Sequence, residues 1–199
     1  SLCRQLRRAH IPTVIVCHNV EPHETNTVWR RLTRHTLRRA DALVVHAHSV
    51  GTEAAKLAPD VPVIHAFMPI FGNVAGAMGA PTPAAVAALR ERVGATERAL
   101  LLCFGYVRTY KGVADAIAAL PLLESDAALL VAGECWEGAE QYHEAAGAAG
   151  VADRVTFDFR YIPNDEIPVM FAASDAVVLP YRTATQSAVA RARIRAPSL

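Results

Sequence analysis

Leu100-Leu101-Leu102-Cys103-Phe104 is apolar at five successive positions, with no polar residue alternating through it. A strand of this composition is buried on both faces, which restricts it to a sheet covered by other elements on each side. Gly105 ends the run where the backbone must turn, and the helical pattern Val113 to Leu120 starts shortly afterwards. Strand followed by helix is the unit of a parallel sheet. Arg108 and Lys111 fall between the two, so both are expected beyond the strand's carboxyl end, where open α/β sheets bind ligands. A guanidinium fork, an ammonium and the free N–H groups of a helix start suit an anionic group such as a diphosphate. Solvated surface charge is the plainer alternative for two cations taken alone. The spacing fits neither a Walker loop nor the dinucleotide fingerprint.

The same alternation runs along the rest of the chain. Ser1 to His10 reads as the end of a helix, stopped by Pro12, and Thr13 to Cys17 is a β-branched strand. A polar loop, His18 to Glu24, follows it. Thr27 to Arg39 is predicted helical, with Val28, Leu32 and Leu37 as its apolar side and Arg30, Arg34 and Arg38 sharing another face. Then come a strand at Ala42 to Val45, a helix from Val50 to Leu57 capped by Ser49, and a strand at Val61 to Ile64. Residues 67–82 hold no charge, are rich in Gly, Ala and Pro, and read as a connector between domains. Beyond it Pro83 opens a helix to Val93, and the strand at Leu100 to Phe104 begins a second doubly wound unit. Further strands are predicted at Ala127 to Ala132, Arg154 to Phe157 and Ala176 to Leu179, with helices at Val113 to Leu120, Ala139 to Ala149 and Asp165 to Ala173. The expected division is 1–66, 67–82 and 83–199.

With 52% hydrophobic residues in 199, much of it alanine, the chain has ample material for close-packed α/β domains. No apolar stretch approaches the roughly 18 to 20 residues that span a bilayer, and no secretory signal opens the sequence, so a cytoplasmic location is expected. Cys3, Cys17, Cys103 and Cys135 are widely spaced and read as free thiols. Residues 1–66 carry nine Lys or Arg against five Asp or Glu, whereas the remainder carries eleven against fourteen. His46 and His48, two apart after a strand, raise a two-histidine metal site, but no third ligand stands at suitable spacing.

Four stretches in order carry a more specific signal: Phe104-Gly-Tyr-Val-Arg-Thr-Tyr-Lys-Gly112, Leu129-Leu-Val-Ala-Gly-Glu134, Tyr161-Ile-Pro-Asn-Asp-Glu166, and Ser174 to Ser187. Together they closely resemble the group 1 (family 4) glycosyltransferases, retaining enzymes of the two-domain GT-B fold. Val14-Ile-Val-Cys-His-Asn19 and Ala40-Asp-Ala-Leu-Val-Val-His-Ala-His-Ser49 resemble the second half of that family's N-terminal domain. The resemblance implies two Rossmann-like parallel-sheet domains, an acceptor side in 1–66 and a nucleotide-sugar side in 83–199. It also implies a nucleotide-sugar donor, a glycan, lipid or small-molecule acceptor, and no essential metal; no nucleic-acid partner is expected, because aromatics do not interleave with the basic charge and the second domain is acidic.

Carried over by residue, Arg108 and Lys111 match the basic pair on the donor diphosphate, and His18 matches an active-site histidine near the sugar. Gly105, Glu134, Arg160, Tyr161, Thr185, Gln186 and Ser187 fall where the family contacts the donor. Two glutamates usual in the family are replaced here by Ala184 and Ala192, which removes the customary means of guessing the donor. An inactive remnant that only binds nucleotide, and a sugar-nucleotide epimerase on the same fold, are the competing expectations. The motifs further imply a chain incomplete at both ends, with a basic tail from Arg191, and therefore an exposed sheet edge and poor solubility. The arginine face at Arg30, Arg34 and Arg38 is either solvated or a contact for an anionic membrane surface or lipid-diphosphate acceptor.

Overall fold

The computed structural model describes residues 5–6, 8–20, 27–66 and 80–182. They form an α/β protein of two compact units, one ending at Ala66 and one running from Ala80. In the first, β1 (Val14–Cys17), β2 (Ala42–Val45) and β3 (Val63–His65) make a parallel sheet in the order β1-β2-β3. α1 (Thr27–Leu37) and α2 (His48–Leu57) supply the connections. Because side chains alternate across a pleated strand, Cys17, Leu43 and Val45 point to one face. There they pack with Leu37, Val50, Ala54 and Leu57 of the two helices. On the opposite face Val16, Val44 and Ile64 stand in register across all three strands, and Val16 and Ile64 are each half exposed.

The second unit contains α3 (Pro83–Arg92), β4 (Ala99–Phe104), α4 (Val113–Ala119), β5 (Ala127–Ala132), α5 (Glu140–Ala148), β6 (Val155–Asp158), α6 (Ile167–Ala173) and β7 (Ala176–Val177). Its parallel sheet has the order β6-β5-β4-β7. All six residues of β5 are buried, as expected of a central strand. Leu100, Leu102, Ala128 and Leu130 face α3 and α6, packing on Leu89, Met170 and Phe171. Leu129, Val131 and Cys103 face α4 and α5, against Val113, Ile117, Tyr142 and Ala146. Each fully buried leucine contributes about 2 kcal/mol through loss of apolar surface to water. Arg90 fastens the far end of the sheet: its guanidinium donates to Ala173 O (2.6 Å), Arg98 O (2.8 Å) and Asp175 Oδ2 (3.1 Å), and the same carboxylate oxygen accepts from Leu100 N at 2.7 Å.

Several boundaries differ from the sequence reading for identifiable reasons. α2 starts at His48 with Ala47 at its cap position and no side-chain cap, so Ser49 lies inside the helix it was expected to cap. Thr82 does cap α3, accepting from Ala85 N at 3.2 Å, and Pro83 fills the first turn, where its missing N–H costs nothing. The largest departure is α1, whose only buried side chain is Leu37. Val28 and Leu32, expected to complete an apolar core side, are exposed. Cys17 and Cys103 are buried free thiols, and Cys135 is half-buried and free. Among the described residues no helix is long and apolar enough to cross a membrane. Residues 67–79 of the connector expected at 67–82, and the tail from Arg191, lie outside the described residues.

Candidate functional site

In the second unit the chain leaves β4 at Gly105, whose φ is +100°. Gly133, at the end of neighbouring β5, has φ +137°, and a Cβ there would lie 2.4 Å from Gly105 O. The carboxyl ends of the two central strands thus meet backbone to backbone, an approach open only to glycine. Past this junction the two loops stay paired: Val107 N donates to Glu134 O at 2.9 Å, and Val107 bridges Cys135 in parallel fashion. A single 3₁₀ turn, Thr109–Lys111, leads into Gly112, which holds the left-handed conformation (φ +69°, ψ 23°) that redirects the chain into α4.

Glu137 fixes that turn from the adjacent loop. Its Oε2 accepts from Thr109 N (2.6 Å) and Thr109 Oγ1 (2.7 Å), and these hydrogen bonds to the ionised form hold its pKa below the usual carboxylate range. The two cations are thereby placed on either side of the turn. The Arg108 guanidinium lies over the Trp136 ring, 5.4 Å from its centroid, and Trp136 meets Tyr106 edge to face at the same distance. Lys111 Nζ lies 4.6 Å from the Tyr181 ring centroid and donates to the Tyr181 hydroxyl at 3.0 Å. The segment carrying Tyr181 is held in turn by Arg182, whose N–H donates to Tyr110 O at 3.0 Å and whose guanidinium makes two bonds to Asp115 of 2.6 and 2.7 Å.

Lys111, Tyr181, Tyr106, Gly105 and Pro180 line one cleft at the carboxyl end of β4, floored by Cys103. Burial pushes the Cys103 thiol up to about 12, with the Lys111 charge opposing only partly. At neutral pH the floor is therefore uncharged, and the Lys111 ammonium is the charged group among the lining residues, with Arg108 at the start of the adjoining turn. A Cβ on Gly105 would sit 3.6 Å from Lys111 Nζ. The glycine thus leaves open the space between the ammonium and the end of β4.

The remaining sequence-derived residues fall as follows. Glu134 is half-buried beside the loop pairing, with its carbonyl engaged by Val107. Arg160 chelates Asp158 through bonds of 2.8 and 3.1 Å and also pairs with Glu166, so its charge is met by two carboxylates of its own loop. Neighbouring Tyr161 is 65% exposed. Thr185, Gln186 and Ser187 lie outside the described residues. Trp136, Tyr181 and Glu137 escaped the sequence reading, since nothing in their spacing ties them to the strand and turn they support.

In the first unit His18 is exposed just beyond β1, with its ring 5.5 Å from that of His46. His46 Nδ1 lies 3.0 Å from Ala66 O. His48 opens α2 and stacks instead with His65, at 4.6 Å. β2 ends at Val45, so His46 and His48 diverge rather than share a strand face. Among the described residues no group of three His, Cys, Asp or Glu is arranged to hold a metal ion. Arg30, Arg34 and Arg38 are exposed on α1, and Arg38 Nε donates to Leu57 O at 3.1 Å.

Two Rossmann-like parallel sheets, one with a cationic cleft at its carboxyl end, are the architecture of GT-B proteins. Residues 87–188 match the family described as Glycosyl transferases group 1, and the chain belongs to that family. It is 36% identical over 107 residues to the GDP-mannose-dependent alpha-(1-6)-phosphatidylinositol monomannoside mannosyltransferase of Mycolicibacterium smegmatis, covering 52% of this chain and 28% of that protein. It is 28% identical over 186 residues to the alpha-D-kanosaminyltransferase of Streptomyces kanamyceticus, covering 86% of this chain and 47% of the relative. The chain therefore spans about half or less of the curated relatives it matches. Among solved structures, Anabaena Alr3699/HepE in complex with UDP and glucose superposes with a TM-score of 0.68 at 20% identity, over 88% of this chain and 48% of that one. WaaG, a glycosyltransferase involved in lipopolysaccharide biosynthesis, superposes with a TM-score of 0.62 at 20% identity, over 96% and 59%.

Proposed function

We propose that this chain carries the donor site of a retaining glycosyltransferase that moves a hexose-type sugar from a nucleoside-diphosphate donor to a glycan, lipid or small-molecule acceptor. The supporting observation is the cleft beyond β4, where Gly105 gives access, Lys111 supplies positive charge in the lining, and Arg108 stands at the start of the adjoining turn. Cleavage of the anomeric C–O bond leaves the electron pair on the β-phosphate, so negative charge grows there in the transition state. Cations already positioned by aromatic faces act on that charge with no reorganisation at the moment of reaction. Tyr181 orients the ammonium and Trp136 the guanidinium. The family resemblance assigns a polar contact with the sugar to His18 and contacts with the donor to Glu134, Arg160, Tyr161, Thr185, Gln186 and Ser187. No metal is required in this scheme, because the two cations take the place a divalent ion would occupy.

The mycobacterial relative is a GDP-mannose-dependent enzyme and the Anabaena protein was solved in complex with UDP, so both nucleotides head the list to test. Calorimetric titration with GDP, UDP and ADP is expected to show saturable binding of one of them. Arg108→Ala and Lys111→Ala are each expected to lower the transfer rate about a hundred- to thousandfold. Binding without transfer would favour the remnant reading. Equal nucleotide affinity in wild type and the double variant would overturn the diphosphate assignment.

A further inference from the structure

Val178 N donates to Leu102 O at 2.8 Å, continuing the pairing of β7 with β4, but two residues later Pro180 has no N–H with which to extend the ladder. Residues 180–182 are tied instead to the turn that precedes α4. Arg182 N donates to Tyr110 O (3.0 Å), its guanidinium donates to both oxygens of Asp115 (2.6 and 2.7 Å), and Pro180 O fills the space that a Gly112 side chain would take. Asp115 stands in the first turn of α4, where the free N–H groups of the helix already favour a carboxylate. That accounts for an acidic residue, but not for the guanidinium that reaches it from 67 positions away. Folding stability does not account for the guanidinium either, because Arg182 and Asp115 are 55% and 48% exposed and exposed pairs add little.

A two-pronged arginine–carboxylate pair does fix geometry, since the planar fork meets both oxygens in one orientation. Arg182 also holds the Asp115 carboxyl below the usual carboxylate range, so the pair persists at neutral and mildly acidic pH. What the pair can fix lies close by in the chain: Tyr181 precedes Arg182, and Lys111 belongs to the turn that Arg182 grips. Lysine is long and flexible, and ordering it at the moment a ligand binds weakens binding. Here the ammonium is ordered beforehand by the Tyr181 hydroxyl and ring. We propose that Asp115 and Arg182 are positioning residues of the donor site, clasping residues 180–182 onto the turn so that Tyr181 presets the Lys111 ammonium for an anionic ligand. That the ligand is a nucleoside diphosphate rests on the transferase reading; the presetting of the ammonium does not.

Lys56 and Lys111 are the two lysines of the chain, so trace acetylation by a succinimidyl ester, read by peptide mass spectrometry, follows Lys111 with Lys56 as internal control. Asp115→Asn and Arg182→Gln should each raise the acetylation rate of Lys111 severalfold, leaving unchanged both the melting profile and the rate of Lys56, which pairs with Glu53 on α2. Arg182→Lys keeps the charge without the fork and should behave as Arg182→Gln does. In a Tyr181→Ala background none of these substitutions should raise the rate further. Titration with GDP, UDP and ADP should show affinity for whichever binds falling about two- to twelvefold in each variant, the cost of ordering one long side chain on binding. The Asn and Gln substitutions change the net charge in opposite directions, so a shared direction in both readouts marks positioning. Opposite shifts overturn the proposal, as do an unchanged Lys111 rate in both variants and full restoration by lysine at 182. Acetylation that responds to the clasp in a chain that binds none of the three nucleotides removes the transferase reading alone. Nucleotide binding with no response of Lys111 removes this inference alone.

Discussion

Replacing Gly112 by alanine tests whether the turn that carries Lys111 is fixed by backbone contact rather than by side-chain preference. Two costs apply. The left-handed conformation at φ +69° disfavours any Cβ by about 1 to 2 kcal/mol. In addition, that Cβ would fall 2.0 Å from Pro180 O and 3.2 Å from Asp115 Oδ2, so a backbone carbonyl must retreat by more than an ångström. Overpacking of this kind adds about 1 to 3 kcal/mol. Gly94 provides the control, since it has nearly the same φ, +67°, and nothing within 4 Å of the Cβ position. Gly94→Ala should therefore lose only the conformational part, reduced further by the lower entropy of its unfolded chain. In urea unfolding, Gly112→Ala is expected to exceed Gly94→Ala by about 1 to 3 kcal/mol, or about five- to 150-fold in the unfolding equilibrium. Displacing Pro180 also shifts Tyr181 away from Lys111, so nucleotide affinity should fall in Gly112→Ala and hold in Gly94→Ala. Equal destabilisation by the two substitutions would refute the close contact, and unchanged nucleotide affinity in Gly112→Ala would refute its link to the cleft.

Two further expectations concern the floor and the tether of the same cleft. Cys103, with its acidity suppressed to about 12, should resist iodoacetamide at pH 8 until the chain is unfolded, whereas half-buried Cys135 should react in the native state. Because the folded chain ionises this thiol later than the unfolded chain does, its contribution to stability is complete below about pH 9 and declines as pH rises from 9 towards 12, which melting curves across that range will show. Glu137→Gln should weaken nucleotide binding severalfold by loosening the turn at Thr109, with little change in the melting temperature because the carboxylate is exposed. The lowered pKa of Glu137 means that its tether is present above pH 4.5 and is lost as pH falls through the lower folded value, so wild-type affinity should decline with acid while the Gln variant stays flat.

The sheets were legible because burial on both faces writes itself as an uninterrupted apolar run, and β4 and β5 lie within a residue of where Leu100 to Phe104 and Ala127 to Ala132 place them. Arg108 and Lys111 were visible for a related reason: a strand, a glycine and a helix start leave little choice about which way the intervening loop opens. α1 was misread because Val28, Leu32 and Leu37 have helical spacing whether or not a core lies opposite, and periodicity alone does not say what covers a face. The pairing of His48 with His65 was equally hidden, since it depends on β2 ending at Val45 and on Gly51 leaving room for the His65 ring; a Cβ there would lie 2.7 Å from it. Trp136, Glu137 and Tyr181 act across distances of 28 to 70 residues in sequence, contacts that no local pattern encodes.

The Arg90 staple and the short pairing of β7 with β4 also set the order in which the second unit can be completed. β4 needs Ala176 and Val177 on one edge, and Asp175 on the amide of Leu100, yet these residues are made some 75 positions after the strand itself. At synthesis rates of about 5 to 20 residues per second the edge of β4 waits about 4 to 15 s for its partner. An apolar strand with an unpaired edge is a template for any other strand it meets during that interval. The nascent chain is thus vulnerable to self-association until β7 emerges, and conditions that slow elongation should lower soluble yield more than they alter the stability of the folded unit.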